Sequence, residues 1–274
     1  MRLLVCAPLL ALVLAAVTLG PTARAQGAPS RPVGGSTEGQ EYLLAQFSTP
    51  IVNAEPGRVH NIALAAAKID GRVLQPGEVF SFNEVVGPRD AAHGWAQASE
   101  IYQGEFVLGY GGGICQVTST LYNAVLLGGL EIRERYHHDR PLQYINPGRD
   151  ATVVWGLLDF RFRNSLSVPV RLAVRLVEGE PEGRLEAALL APRPQEGEPI
   201  AIEEEQVRYL PPDLVEVPDP ELPSGRRVVV DEGHPGVEVR VYRVFGTGPD
   251  ARRELVSHDR YPPRAGRVLV GAGE

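Results

Sequence analysis

A single cysteine lies in the part of the sequence with the most chemical potential. The glycine run Gly111, Gly112 and Gly113 precedes it, and apolar residues at helical spacing follow it. This pattern predicts a helix from about Cys115 to Leu127. Cys115 then lies in the first helical turn, where unpaired N–H groups and the helix dipole favour an anion. We therefore expect a thiol with a lowered pKa.

A nucleophilic thiol needs a base and a group that orients the base. Two histidines, His137 and His138, follow the predicted helix after a short connection. Three aspartates could orient an imidazole: Asp139, Asp150 and Asp159. Gln116, next to the cysteine, could donate a hydrogen bond to a developing oxyanion. These residues form the set required by a Cys-His-Asp hydrolase or transpeptidase.

Other interpretations of the same residues stay open. A lone cysteine at a helix start is also typical of an inert packed thiol, and a glycine run is also typical of a simple turn. A phosphate loop is excluded because no Lys-Ser/Thr pair follows the glycines. A zinc site formed by His137, His138 and Asp139 is weakly supported, because adjacent residues on a strand point to opposite faces and no second ligand pair at metal spacing appears. His60 and His93 remain possible ligands. We expect no metal and no cofactor.

Arginines near the candidate site offer a way to bind a substrate carboxylate through forked hydrogen bonds. They are Arg140, Arg149, Arg161 and Arg163. The alternative is that they cover the solvated faces of strands.

Composition limits the class of protein. The chain has 274 residues, 43% of them hydrophobic and 22% charged, which is typical of a globular protein with one or two domains. The formal net charge of −7 argues against a nucleic-acid partner, which would require a clustered basic surface.

The first 25 residues predict a cleavable signal peptide. Arg2 precedes an apolar run, and Ala23-Arg24-Ala25 has the form of a signal-peptidase site. Cleavage would remove Cys6 and leave Cys115 as the one thiol of a secreted or envelope-associated protein, so a disulfide framework is not expected. Residues 26–41 are rich in small and polar residues and are predicted to be a disordered leader. No transmembrane segment is expected in the mature chain.

The elements that would position these residues indicate an α+β fold with helices packed on a largely antiparallel sheet. A first helix is expected over His60–Ile69, capped by Asn61. Strands are expected at Glu78–Phe82, Thr152–Trp155, Leu158–Arg163 and Val168–Leu176. After a Pro- and acid-rich passage from Ala191 to about Gly225, the pattern is all-β with a thin core, and its strands are expected at Arg227–Asp231, Val237–Phe245 and Arg267–Val270.

Several separated motifs resemble the VanW family, a bacterial envelope family named after a protein of vancomycin-resistance clusters. They are Phe47-Ser48-Thr49, the stretch from Pro76 to Asn83, the stretch from Gly111 to Gln116 with Tyr122-Asn123, Arg140-Pro141, and the stretch from Pro147 to Val153. The resemblance assigns residues 42–191 to a VanW-like domain with a role in peptidoglycan. It selects His138 as the base and Asp150 as its orienting acid, and it adds Tyr122 and Asn123 to the candidate substrate-binding residues.

Residues 200–272 resemble a G-five domain, a small elongated β module. The residues that carry this resemblance are Leu222 to Gly225, Gly233 to Gly236, Tyr242-Arg243, Tyr261-Pro262 and Val270-Gly271. It implies wall binding with affinity for N-acetylglucosamine polymers. Two hypotheses follow for the whole chain: a cysteine-dependent enzyme acting on peptidoglycan, or a non-enzymatic protein that binds peptidoglycan or another wall glycan and in which the cysteine is structural.

Overall fold

The computed structural model describes residues 31–33, 40–102, 105–177, 179, 183–194 and 197–273. The predicted signal peptide lies outside the described residues, as does most of the predicted leader. Within that leader, however, Arg31–Val33 forms a strand that pairs with the strand beginning at Glu41. The expectation of disorder was wrong for these three residues, because the edge of the sheet offers unpaired backbone groups to them.

The described part of the chain contains three α-helices and sixteen strands. The helices are α1 (Pro56–Ile69), α2 (Phe82–Val86) and α3 (Ile114–Leu127). The strands are β1 (Arg31–Val33), β2 (Glu41–Pro50), β3 (Val73–Leu74), β4 (Val79–Ser81), β5 (Gln97–Tyr102), β6 (Glu105–Tyr110), β7 (Glu131–Glu134), β8 (Arg161–Arg163), β9 (Val170–Val177), β10 (Arg184–Ala191), β11 (Ile200–Leu210), β12 (Leu214–Pro223), β13 (Arg227–Asp231), β14 (Gly236–Phe245), β15 (Arg252–Tyr261) and β16 (Gly266–Gly273).

The core of the first unit lies between two helices and an antiparallel sheet. The sheet has the strand order β1-β2-β10-β9-β3, and α3 packs on β2 and β10 while α1 packs on β9 and on α3. Leu121, Val125 and Leu126 of α3 are fully buried against this sheet. Two smaller assemblies complete the unit: a three-stranded sheet of β4, β8 and β7, and the β5-β6 hairpin. The layout is mostly strands with few helices.

Helix α1 is longer than expected, and its start differs. It begins at Pro56, where proline lacks an N–H that the first turn would leave unpaired, and it ends before Gly71, whose φ is +79°. Asn61 does not cap it. Asn61 lies in the second turn of the helix, where its side chain is buried and donates hydrogen bonds to the carbonyl oxygens of Ala96 and Gly112. Asn61 therefore ties α1 to the glycine run.

Three expected strands of the first unit were wrong in extent. Leu158–Arg163 forms a strand only over Arg161–Arg163. The segment from Glu78 to Phe82 forms a strand only to Ser81, whose hydroxyl accepts a hydrogen bond from Glu84 N and so starts α2. Thr152–Trp155 forms isolated bridges at Thr152 and Val154 rather than a ladder. The β5-β6 hairpin, which packs beside the glycine run, was not predicted from the sequence.

The second unit is all-β and thin. It contains two three-stranded sheets, one of β11, β14 and β15 and one of β12, β16 and β13, with β12 parallel to β16. No residue of β12 is buried. The two units share a core, because Ile202 and Val241 belong to the same buried cluster as the residues of α3. Gly148 permits close approach, since a Cβ there would lie 2.4 Å from Val241 Cγ2.

Candidate active site

The glycine run brings α3 against two neighbouring segments. Gly111 and Gly113 have φ values of +96° and +103°, which favour glycine, and Gly113 is the N-cap of α3. A Cβ on Gly112 would lie 2.6 Å from the carbonyl oxygen of Ser99 in β5. Each position of the run therefore favours glycine, either because its φ is positive or because a neighbouring backbone lies too close for a side chain. It places Cys115 as the second residue of α3, partly exposed.

The structure brings Cys115, His138 and Asp150 together. The imidazole Nδ1 of His138 lies 2.6 Å from Asp150 Oδ2, and the same oxygen accepts the His138 backbone N–H at 2.7 Å. Cys115 and His138 line the same cleft, and the Cys115 sulfur contacts Thr152 Oγ1 at 3.5 Å and the Val153 carbonyl oxygen at 3.8 Å. Because Nδ1 of His138 is occupied by the carboxylate, Nε2 is the ring nitrogen left to interact with the thiol. This is the arrangement of a nucleophile, a base and an orienting acid.

The site favours the ion pair of a thiolate and an imidazolium. Burial alone would raise the pKa of the Cys115 thiol, but the hydrogen bond and charge of His138, helped by the hydroxyl of Thr152, lower it to about 7. Burial would lower the pKa of His138, but Asp150 and the cysteine raise it to about 9. Asp150 has a lowered pKa because His138 and Arg135 outweigh the effect of its burial. Near neutral pH the pair is thus partly ionised.

Gln116 has a different role from the one expected. Its side chain is buried, its Nε2 donates to Thr49 Oγ1 at 2.9 Å and to Pro50 O at 2.8 Å, and its Oε1 accepts from Arg58. Both amide hydrogens are used, so none remains for an oxyanion. The expectation of an oxyanion donor was wrong for this side chain, because it cross-links α3 to β2.

Three expected substrate-binding side chains lie in the core instead. Tyr122 is buried and packs edge to face on Phe160. Asn123 is buried, donates to Ser119 O and Arg149 O at 2.7 Å each, and accepts from the Arg149 guanidinium. Arg149 also pairs with Glu204 at 2.8 Å. These residues occur in the family motifs because they pack α3 against the core and against the segment around Arg149, and not because they line the cleft.

The other expected residues divide between the cleft and the surface. Arg140 lines a cleft of about 390 Å³ together with Cys115, His138 and the glycine run. Arg161 and Arg163 lie on β8, outside the cleft lining, and Arg163 pairs with Glu131.

The remaining aspartates and histidines do not join the site. Asp159 accepts hydrogen bonds from Ser81 and Asn83 at the start of α2. His60 contacts Gly94 O, and His93 pairs with Asp90. Among the described residues, no group of three or more His, Cys, Asp or Glu side chains is placed to hold a metal ion.

Two arginines of the cleft, Arg58 and Arg89, were not predicted from the sequence; Tyr144 and Trp155 line the cleft as well. A signal existed for Arg58, because it precedes Ile62 by four residues on the buried stripe of α1, where an arginine is unusual. Arg89 comes from an irregular segment, for which spacing gives no indication.

The second unit supplies direct contacts to the acid of the triad. Tyr261 of β15 is fully buried; its hydroxyl accepts the Gly148 N–H at 2.7 Å and donates to Asp150 Oδ1. Arg135 links the same carboxylate, at 3.3 Å, to Asp259 of β15, at 2.6 Å. Asp150 is thus held from both units, which the sequence did not indicate.

Comparison with known proteins gives two family matches. Residues 57–185 match the family model described as VanW like protein, and residues 202–273 match the G5 domain. The uncharacterized protein YoaR of Bacillus subtilis is 48% identical over 136 residues, covering 50% of this chain and 45% of YoaR. Vancomycin B-type resistance protein VanW of Enterococcus faecalis is 28% identical over 148 residues, covering 49% of this chain and 54% of that protein. The chain thus spans about half the length of these curated relatives.

Two solved structures resemble the second unit. One is titled IgA1 Protease G5 domain structure, with 24% identity, a TM-score of 0.22, and coverage of 29% of this chain and 96% of that one. The other, Crystal structure of HP0197-G5, has 23% identity, a TM-score of 0.19, and coverage of 26% and 97%. No helix in the described ranges is both long and apolar enough to cross a membrane.

Proposed function

We propose, on the premise that residues 57–185 form a VanW-like domain and residues 202–273 a G5 domain, that this protein is a secreted cell-envelope protein with a cysteine-dependent acyl-transfer site. The substrate class is a peptide amide of peptidoglycan, and the reaction is hydrolysis or transpeptidation. The observation that carries the proposal is that Cys115 and His138 line one cleft, with His138 Nδ1 held at 2.6 Å by the buried carboxylate of Asp150.

The arrangement supports a two-step reaction. The Cys115 thiolate attacks the amide carbonyl carbon, and the backbone N–H of Cys115 stabilises the oxyanion, since the Gln116 side chain and the N–H groups of Ile114 and Gln116 are occupied. The C–N bond then breaks as imidazolium Nε2 of His138 gives its proton to the leaving amine, which leaves a thioester on the sulfur. Neutral His138 next takes a proton from water or from an acceptor amine, which attacks the thioester and releases the thiolate.

The second domain is proposed to hold the protein on wall glycan, including polymers of N-acetylglucosamine. The support is the G5 match together with the predicted signal peptide in residues 1–25, which would export the chain. In this arrangement the wall is both the anchoring surface and the source of substrate.

Purified muropeptides test the enzymatic part. The mature chain should produce cleaved or newly joined amide bonds, detected by mass spectrometry, and Cys115→Ala should produce none. Cys115→Ser keeps the size of the side chain and should lose most of the activity. Equal products from the wild type and Cys115→Ala would contradict the proposal.

The second candidate function is non-enzymatic wall binding. It is favoured by one observation: Cys115 packs against the buried cluster and is only partly exposed. It predicts that a thiol reagent fails to label the folded protein and that the protein still sediments with insoluble peptidoglycan after Cys115→Ala. Rapid labelling of Cys115 near neutral pH would count against it.

A further inference from the structure

Two arginines in the cleft have guanidinium nitrogens without partners. Arg58 of α1 is 7% exposed; its Nη2 donates to Gln116 Oε1 at 2.7 Å, but its Nη1 has no hydrogen-bond partner within the described part of the chain. Both terminal nitrogens of Arg89 are shielded from solvent and also lack a hydrogen-bond partner there. Both arginines line the cleft that contains Cys115.

Such groups are costly to keep. A buried guanidinium that loses water without gaining an acceptor destabilises the folded state, which is why buried charges are normally paired. Among the described residues no carboxylate lies within 4.0 Å of either arginine. Arg89 does lie over the rings of Phe82 and Trp155, at 5.7 Å and 5.6 Å from their centroids. Those rings contact the face of the guanidinium and leave its edge donors unsatisfied.

The electrostatics of the cleft favour an anion. Burial lowers the pKa of Arg89 to about 10 and also lowers the pKa of Arg58, and in both cases the Cys115 thiolate acts in the opposite direction. The cleft lining holds the guanidinium groups of Arg58, Arg89 and Arg140 against the carboxylate of Glu100 and the Cys115 thiolate. The imidazolium of His138 is balanced by Asp150, so the cleft has a positive excess.

We propose that Arg58 and Arg89 form a subsite for a carboxylate of the substrate beside the reactive sulfur. A carboxylate fits because its two oxygens match the forked donors of a guanidinium. This deepens the proposed function by naming the substrate class: a peptide with a free carboxylate close to the amide that reacts. It also replaces Arg149, Arg161 and Arg163, which are engaged elsewhere or lie outside the cleft.

Two alkylating agents of similar shape test the subsite without any turnover. Iodoacetate carries a carboxylate and iodoacetamide does not; each forms a bond from the Cys115 sulfur to its methylene carbon and releases iodide. The measurement is the rate ratio of iodoacetate to iodoacetamide at Cys115, located by mass spectrometry, divided by the same ratio for a small free thiol. We expect an enrichment of roughly tenfold, as a favourable charge interaction in a partly buried site would give.

Substitutions assign the effect to the arginines. Arg89→Gln should lower the enrichment several-fold while iodoacetamide still reacts, and Arg89→Lys should retain part of it. Arg58→Gln should lower it as well. Arg175→Gln is the matched control, because Arg175 is exposed on β9 and lies outside the cleft. No enrichment in the wild type, or an enrichment that Arg89→Gln leaves intact, would overturn the proposal.

A second measurement remains informative if a variant fails to fold. Propionate should slow alkylation of the wild-type thiol by iodoacetamide, and neutral propionamide should not. Equal effects of the two compounds would overturn the subsite. The outcomes separate the two proposals: carboxylate selectivity without muropeptide products retains the subsite and rejects the enzyme, whereas Cys115-dependent products without selectivity do the reverse.

Discussion

At the scale of single residues, the ionisation of Cys115 depends on which neighbour dominates. Burial acts to raise the pKa of the thiol, and the hydrogen bond and charge of His138 outweigh it. The position at the start of α3 acts in the same direction as His138. The two nearby histidines make this balance testable, because only His138 contacts both the thiol and Asp150.

The rate of alkylation of Cys115 by iodoacetamide should rise with pH and reach half its plateau near pH 7, where the thiol ionises. His138→Gln removes the positive charge, so burial dominates and the midpoint should move above the ordinary thiol range. His137→Gln is the matched control and should leave the midpoint in place. Amide turnover should fall again as pH rises through about 9, because His138 then loses the proton it gives to the leaving amine. An unchanged midpoint in His138→Gln would contradict the assigned pair.

Asp150 should contribute to stability as well as to orientation. Its carboxylate accepts hydrogen bonds from His138, Arg135 and Tyr261. Asp150→Asn removes the charge that these partners face and should lower the free energy of unfolding at pH 7 by about 3 kcal/mol, measured by urea denaturation.

The pH dependence of that loss has a definite sign. The pKa of Asp150 is lowered in the folded state to about 2, so its contribution is complete above the unfolded value of about 4 and is lost as pH falls through the folded value. The difference between wild type and Asp150→Asn should therefore shrink between about pH 4 and pH 2. A difference that stays constant over this range would show that the lost shape, and not the charge, is responsible.

At the scale of elements, the glycine run and β5 fit together with no spare space. Gly112→Ala would place a Cβ 2.6 Å from the backbone oxygen of Ser99. Relieving that contact requires one of the two backbone segments to move, which costs packing energy. We expect a loss of about 2 kcal/mol of stability and a slower alkylation of Cys115, since the start of α3 would shift. Gly179→Ala is the control, because its nearest neighbour would be 3.8 Å away. Wild-type stability and alkylation rate in Gly112→Ala would contradict this packing role.

Elements with strong local periodicity were predictable from the sequence, whereas elements that depend on long-range strand pairing were not. Helix α3 was expected from Cys115 and begins at Ile114, because its apolar stripe and its glycine ends are encoded locally. Strand β9 was expected one or two residues from its observed ends for the same reason. Segment Thr152–Trp155 has strand-like residues but lacks a continuous partner strand, which no local pattern reveals.

The candidate site shows the same division between local and long-range information. Cys115 is recognisable by its place before a helix, and the family motifs single out His138 and Asp150. The roles of Gln116, Tyr122 and Asn123 depend on partners 26 or more residues away or on the other side of the core. Those partners exist only in the folded chain. Tyr122 and Asn123, which belong to family motifs close to Cys115, were for this reason misinterpreted as substrate contacts.

At the scale of the whole molecule, the second domain reaches the candidate site through Tyr261. Tyr261→Phe removes the hydroxyl that donates to Asp150 and accepts from Gly148 N. Asp150 would then hold His138 less firmly, so the midpoint of Cys115 alkylation should rise by a few tenths of a pH unit and turnover should fall roughly tenfold. Tyr242→Phe on β14 is a control that keeps the domain intact. Lower stability with an unshifted alkylation midpoint would show that Tyr261 only packs.

Removal of the second domain tests whether the two units are one folding unit. A chain that ends at residue 194 would lose Asp259 and Glu204, which pair with the buried side chains Arg135 and Arg149. It would also expose the part of the shared core that Ile202 and Val241 cover. Two unpaired buried cations and an opened core should lower the Tm by well over 10 °C or prevent folding, as measured by circular dichroism.

Two single substitutions serve as reference points for that truncation. Glu204→Gln removes the partner charge of one arginine, and Asp259→Asn removes that of the other, while the shared core stays covered. Each should cost only part of the loss seen on truncation. If the shortened chain melts like the full one, the second domain is an independent module, and its contacts to Asp150 stabilise nothing. If it melts far below both single variants, the second domain is a structural component of the candidate active site, because the acid that orients His138 depends on it.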